Sequence, residues 1–466
     1  MKAKSRALAL VAMVGAATTF GCNNFLTGDK LSNNPNLPTS ATADQLFIGI
    51  QVATMAQWET YPLNLLPTWV DQIAGVNRQW QNYANYASGT DDLTSDATWI
   101  SLYGPGGLAD LRRAENEAAA AGNIKEVGEL KVLEGLLMGT AADLFGAVPY
   151  DSALTSIPKF DAQADVYAHV QATLDTAISD LAGAGAGGAV DFFFGNDFGK
   201  WTATAHSLKA RYYMHTAENT DLSYDNTKLN SVLTETALGI SDPGGDLTTK
   251  HTDTNLENNL FYQFLIGARA GDVEPSQLHI TLLQQLNDNV LLSQLYSSPY
   301  SGSAPGVSAG STVSTFKVGP TTPMIIVGNY ENLLLSAEAH YRLGAAGPAA
   351  TELQTEHANY GEPGAVPIVS GTNGLLITII REKFARGFLN PEIYFDYLRT
   401  CVPNIPLPAA IANVFTAVPA RFNYGFTEKT TNTKTPADPL ANGNWPKHPT
   451  NPSGAACFGQ KDRVGT

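Results

Sequence analysis

Between Ile124 and Phe145 the residues Leu130, Leu133, Leu137, Ala141 and Leu144 recur at intervals of three and four. That spacing puts apolar side chains on one stripe of an α-helix, and the stripe must find another element to cover it. The same signal returns along the chain. Val166, Val170, Leu174, Ile178 and Leu181 form a second stripe, which ends in a Gly/Ala run. Further helices are predicted over 205–218, 228–238, 329–343 and 375–385. In the last of these Leu376, Ile379, Ile380 and Phe384 share a face, and Gly387 closes it. Thr42-Ala43-Asp44-Gln45 reads as a capping box opening a first helix that carries Leu46, Ile48 and Val52. Asn390-Pro391 supplies a cap and a first-turn proline for a helix with Phe395 and Leu398 inward.

Amphipathic helices in succession predict an all-α fold built from helical hairpins of tetratricopeptide type, without a clean 34-residue repeat. The segments 241–325 and 401–466 are rich in Gly, Ser, Pro and Thr and read as long loops on this frame. Residues 39–466 are taken as one domain.

The start of the chain carries an address. Lys2, Lys4 and Arg6 precede an apolar stretch from Leu8 to Ala17, too short to span a bilayer. Residues 1–21 therefore read as an export signal. Thr19-Phe20-Gly21-Cys22 is similar to a bacterial lipobox, which makes Cys22 the expected lipidation site, and 22–38 reads as a flexible tether. The formal net charge is −15, and cleavage would remove three basic residues and no acid. Such a chain is repelled by nucleic acid. Charged residues make up only 15% of it. In an oxidising compartment the remaining cysteines, Cys401 and Cys457, are expected to pair, which is worth on the order of 4 kcal/mol in the chain-entropy model.

Catalytic signatures are weak. Gly183 to Gly188 has dinucleotide-loop spacing but follows a helix where a strand is needed. Gly306-Val307-Ser308-Ala309-Gly310 matches a nucleophile elbow, yet serine-rich loop flanks it on both sides. His215 and His340 sit among apolar helical residues, the ordinary setting of a hydrogen-bonded core histidine. The chain is therefore expected to bind and not to catalyse. No cofactor or metal is called, and calcium is left open.

Several segments together resemble the SusD/RagB family of nutrient-binding outer-membrane lipoproteins. They are the signal with Cys22, Asn33 to Thr42, and Ala141-Ala-Asp-Leu-Phe-Gly-Ala-Val-Pro-Tyr150, where Ala147 replaces the family's usual Asp. Lys200-Trp201 with Ser207 to Arg211, then Ala337-Glu338-Ala339, continue the series. Arg381-Glu382-Lys383, Glu392 to Arg399 and Pro403 complete it. The resemblance implies irregular tetratricopeptide-like helix pairs forming an α-α superhelix, with a loop-rich ligand-facing half. It implies an outer-membrane lipoprotein facing the cell exterior and partnered by a SusC-like TonB-dependent transporter. The implied ligand is an oligosaccharide or a peptide. In the family most of these motifs position helices and do not touch ligand.

Sugar recognition needs aromatic faces for the C–H surface of a pyranose, with amides and charges for its hydroxyls. One segment is dense in these: Trp69, Asn77, Arg78, Trp80, Gln81, Asn82, Tyr83, Asn85 and Tyr86. The competing reading makes its aromatics the core of a helix pair. Tyr300, Tyr296 and Arg269, in the loop-rich section, are further candidates, whereas Trp99 and Tyr103 read as core. A motif-free surface hydrolase and a protein-interaction scaffold are the alternative functions.

Overall fold

The computed structural model describes residues 41–86, 92–219, 223–405, 418–419 and 421–437. Cys22, the tether, Cys457 and most of the last segment lie outside these. The first helices are α1 (Ala43–Glu59), α2 (Tyr61–Trp69), α3 (Arg78–Ala84), α4 (Asp92–Tyr103) and α5 (Leu108–Ala121). The capping box at Thr42 and Gln45 forms as expected, each side chain accepting from the other's backbone N–H.

At the centre lies α6 (Ile124–Phe145), covering the predicted span. It packs on α5, on α7 (Gln163–Leu181) and on α8 (Phe198–His215), and α8 pairs with α9 (Asn226–Thr236). The sequence read one apolar stripe on α6, but from Glu126 onward nearly every residue is buried. Glycines make such close approach possible. A Cβ on Gly139 would lie 2.0 Å from the Tyr212 ring, and one on Gly135 would lie 2.6 Å from Leu174.

The second half pairs α13 (Asn329–Arg342) with α14 (Ala346–Asn359), and α13 also packs on α15 (Gly374–Arg386). The chain then turns at Asn390 into α16 (Glu392–Thr400) and ends, among described residues, with α17 (Phe426–Thr431). Phe422 and Tyr424 are buried, and the Phe422 N–H donates to the Leu144 carbonyl. This part of the expected loop is therefore docked on the end of α6.

The expectation of a long loop over 241–325 needs correction. That stretch holds α10 (Leu260–Ile266), α11 (Gln277–Leu286) and α12 (Asn289–Leu295). Antiparallel two-stranded pairs tie it to the rest: β1 (Ile73–Gly75) with β3 (Val273–Pro275), and β2 (Leu247–Thr248) with β4 (Ile325–Val327). Helices of seven to ten residues between glycine- and proline-rich turns leave too short a periodic signal to be read. Buried Glu59, at the end of α1, holds this half in place. It accepts from Thr249, from His251 at 2.6 Å and from the Leu260 N–H at 2.9 Å.

Several charged residues of the motifs that carried the resemblance, among them Arg211, Glu338, Lys383, Glu392, Asp396 and Arg399, lie inside as part of a buried ionic network. Arg211 on α8 forms a two-bond pair with Glu331 on α13 at 2.5 and 2.6 Å. Lys383 on α15 reaches Asp396 on α16 at 2.7 Å, and Arg399 clamps Glu338 through both its terminal nitrogens. His215 bridges Asp143 on α6 at 2.8 Å and Glu392 on α16 at 2.7 Å. Burial alone would push the His215 imidazolium towards neutrality, but the carboxylates of Asp143 and Glu392 outweigh it and raise its pKa to about 10. Glu338 shows the converse: burial opposes its charge, and Arg399 with Arg342 still holds it down to about 2. Each buried charge has its partner on another helix, so the network fixes which helices meet.

Candidate ligand-binding face

The aromatic-rich segment Trp69 to Tyr86 does not present its rings to solvent. Trp69 is 0% exposed and stacks edge-on against Phe422, with Tyr394 beside it. Trp80 is 3% exposed and packs edge-on against Tyr83 and Phe264, at 5.6 and 5.1 Å between centroids. Tyr83 is buried too, and the buried Tyr86 donates its hydroxyl to the Trp69 carbonyl at 2.7 Å. A ring enclosed on both faces leaves nothing for a pyranose to stack on, so these candidates are corrected to core. The physical reason is that α2 and α3 are wedged between α16 and the 260–275 segment, which the sequence could not place beside them. Tyr296 is likewise enclosed, its hydroxyl 2.6 Å from His279 Nδ1. Trp99 is buried, as expected. Tyr300 is half-buried against the main core.

What this segment does present is polar. Asn77, Arg78, Gln81 and Asn82 are exposed on the outer side of α3. The local geometry is set by β1 and β3, where Gly75 lies opposite Val273. Past the strand end, the Val76 N–H donates to the Asp272 carbonyl at 2.9 Å, and the Asp272 side chain, 0% exposed, turns beneath Arg78. Arg78 Nε pairs with Asp272 Oδ1, and Arg78 Nη2 donates to the Ala270 carbonyl at 3.1 Å. Arg269 approaches the same carboxylate from the other side, Nη1 to Oδ2 at 3.6 Å, and donates to Gln79 Oε1 at 3.2 Å.

Gln81 fastens a further loop by donating to the Gly306 carbonyl at 2.7 Å. Gly306 has a φ of +75°, and a Cβ there would lie 2.5 Å from the Asn85 side chain. Ser303 and Ser308, from the same loop, donate to Glu274. The Gly306–Gly310 motif is thus a loop pinned beside α3, with Ser308 engaged by a carboxylate. Exposed Ile266 and Val307 add apolar surface nearby in the chain. The structure therefore joins Arg78, Gln81 and Arg269, all candidates from the sequence, and adds Asp272, Glu274 and the 303–308 loop. The sequence held no signal for the additions, because they become neighbours only through the β1–β3 pairing.

Chemistry elsewhere is structural in character. His215 is buried in the network described above, and His340 pairs with Glu352 at 2.9 Å. Asp288, His357 and Glu382 bring possible metal-ligand atoms within 4.8 Å of one another, all buried. However, Arg386 Nη2 already lies 2.7 Å from Asp288 and 3.3 Å from Glu382 and supplies the cation there. A divalent ion would face that guanidinium, so the set fits an ion pair better than a metal. Beside it opens a cleft of about 470 Å³, lined by Tyr330, Tyr360, Arg386, Phe388 and Lys317 among others.

A family profile described as starch-binding, associating with the outer membrane, matches residues 35–425. The chain belongs to the SusD-like family. No curated protein matches it, but solved structures do. A SusD/RagB family protein from Bacteroides thetaiotaomicron is 20% identical with a TM-score of 0.66, over 85% of this chain and 95% of the other. A chitin-binding protein is 21% identical with a TM-score of 0.69, over 84% and 93%. A SusD homologue from Bacteroides uniformis is 18% identical with a TM-score of 0.68, over 85% and 95%. At such identities the likeness is one of fold. It bears out the all-α architecture of tetratricopeptide-like pairs, and the family profile bears out the resemblance read from the scattered motifs. No described helix is long and apolar enough to cross a membrane.

Cys401 is buried at the end of α16 and is disulfide-bonded. Cys22 and Cys457 both lie outside the described residues, so its pairing with Cys457 stays a proposal.

Proposed function

We propose that this SusD-like protein is a cell-surface lipoprotein, anchored through Cys22, that captures oligosaccharide and hands it to a TonB-dependent outer-membrane transporter. Membership of a family described as starch-binding and outer-membrane-associating carries this reading. The lipobox-like Thr19 to Cys22 and the polar stretch after it supply the anchor and the tether. The binding face we assign is the outer side of α3 with the 266–272 turn and the 303–308 loop. There exposed guanidinium and amide groups stand over a fixed backbone. Hydroxyl-rich ligands are held by such planar donors and acceptors. We assign no catalytic role to any residue.

Titration of the purified protein with a panel of oligosaccharides, with product analysis of each mixture, tests this. Saturable binding with no change in chain length is expected. Shortening of a bound glycan would favour a hydrolase, and absence of binding across the panel would favour the interaction scaffold. Mass analysis of the membrane-extracted protein should show acyl chains on residue 22.

A further inference from the structure

The glycan-facing surface proposed above carries an unusual charge arrangement for so acidic a chain. Of the described arginines, Arg211, Arg342, Arg386 and Arg399 are enclosed in ion pairs, their side chains at most 5% exposed. Arg78 and Arg269 differ: their side chains are 46% and 43% exposed, yet both rest on one carboxylate, that of Asp272, which is 0% exposed. Two guanidinium groups thus share one buried carboxylate where solvent meets them. Glu274, two residues on along β3, keeps its own negative charge and is turned towards the hydroxyls of Ser303 and Ser308. A guanidinium has five N–H donors. Arg78 commits two of them, to Asp272 and Ala270, and Arg269 one, to Gln79.

The pair is also held in place. Arg78 sits at a φ of +49°, a conformation that non-glycine residues rarely adopt and that persists where surrounding structure enforces it. Here the enforcement comes from Val76 and Asn77, whose N–H groups both donate to the Asp272 carbonyl, and from the β1–β3 pairing just before them. Arg269 is fixed by the turn in which the Asp272 N–H donates to the Arg269 carbonyl at 3.0 Å. Fixed guanidinium donors lose little freedom on binding and match the planar geometry of oxyanions.

We infer that Arg78 and Arg269, braced on Asp272, form a subsite for an acidic group on the sugar, a ring carboxylate or a sulfate ester. The preferred ligand class is therefore an anionic oligosaccharide. The inference rests on the glycan-binding reading and narrows it. Gln81 and Asn82, exposed on the same helix, are placed to meet neighbouring hydroxyls.

Calorimetric titration with four probes tests it: a galacturonic acid oligomer, a sulfated but carboxylate-free carrageenan oligosaccharide, maltoheptaose and chitohexaose. At least one acidic probe should bind about tenfold or more tighter than either neutral one. That preference should shrink as salt rises from low to molar ionic strength. Which acidic probe wins tells carboxylate from sulfate. Arg269→Gln, at a half-exposed position, should lower acidic-probe affinity about tenfold. Arg78→Gln with Arg269→Gln should abolish the preference, and Arg269→Lys should restore part of it. If the double variant fails to fold, Arg269→Gln alone decides. Neutral probes bound as tightly as acidic ones would overturn the inference while leaving glycan binding intact, as would Arg269→Gln without effect on a bound acidic probe. Failure of every probe to bind would overturn the broader reading with it.

Discussion

Replacing Trp80 separates a core role from a ligand-stacking role. The indole is 3% exposed and meets Tyr83 and Phe264 edge-on. An aromatic of this kind buries roughly 150–250 Å², which at about 25 cal/mol per Å² is worth some 4–6 kcal/mol as an upper bound. Large-to-small substitutions of aromatic core residues cost about 3–5 kcal/mol, and incomplete collapse of the cavity sets where in that range a site falls. Trp80→Ala should therefore lower stability by about 3–5 kcal/mol. Trp80→Phe, which keeps both ring contacts, should cost about 1 kcal/mol. Urea unfolding followed by tryptophan fluorescence and circular dichroism reads this directly, provided the slope with denaturant is unchanged. Glycan affinity of whatever Trp80→Phe protein is folded should stay within about twofold, since no ring face is lost to solvent. A Trp80→Ala protein of unchanged midpoint that no longer binds glycan would refute the argument and return the indole to the ligand.

Further outcomes follow from the packing, the charges and the disulfide. Gly139→Ala places a methyl within the Tyr212 ring, and with α6 covered on all sides it should cost about 1–3 kcal/mol by thermal unfolding, whereas Gly122→Ala, on an open turn, should cost less than that despite its positive φ. Arg399→Ala leaves Glu338 buried without its clamp, and about 3–5 kcal/mol should be lost, while glycan affinity of the folded fraction is unchanged. His215 has its pKa raised from 6.5 to about 10 in the folded protein, so its contribution to stability is complete below pH 6.5 and fades as pH rises towards 10. Urea midpoints across that range should fall in wild type and flatten in His215→Gln. A non-reducing against reducing mass comparison after protease digestion should join the Cys401 peptide to that of Cys457; linkage to Cys22 would remove the lipid anchor from the proposal.

Local chemistry made much of this protein readable before any tertiary contact was known. Thr42 and Gln45 cap a helix because their side chains reach backbone N–H groups within one turn. The stripes on α6 and α7 depend on residues three and four apart, so their limits fell within a few positions of those observed. His215 as a core histidine followed from its apolar neighbours on one helix, although the carboxylates that hold it, Asp143 and Glu392, are 72 and 177 residues away. Arg78, Gln81 and Arg269 were legible as polar candidates; their meeting was not, because a pairing of three residues between β1 and β3 creates it.

The aromatic segment marks where local reading ends. Trp, Tyr and Asn in close sequence describe a sugar platform and a helix-pair core equally well, since both need flat apolar surface with a polar edge. Only the arrival of Phe264 and Tyr394, from segments far along the chain, decided that the rings of Trp80 and Trp69 face inward. Sequence determined the longer helices and the acidic net charge of the chain, for these are fixed by residues near one another or by sums over the chain. The tertiary structure decided which side of α3 meets solvent, because burial depends on what packs against a residue and not on the residue alone.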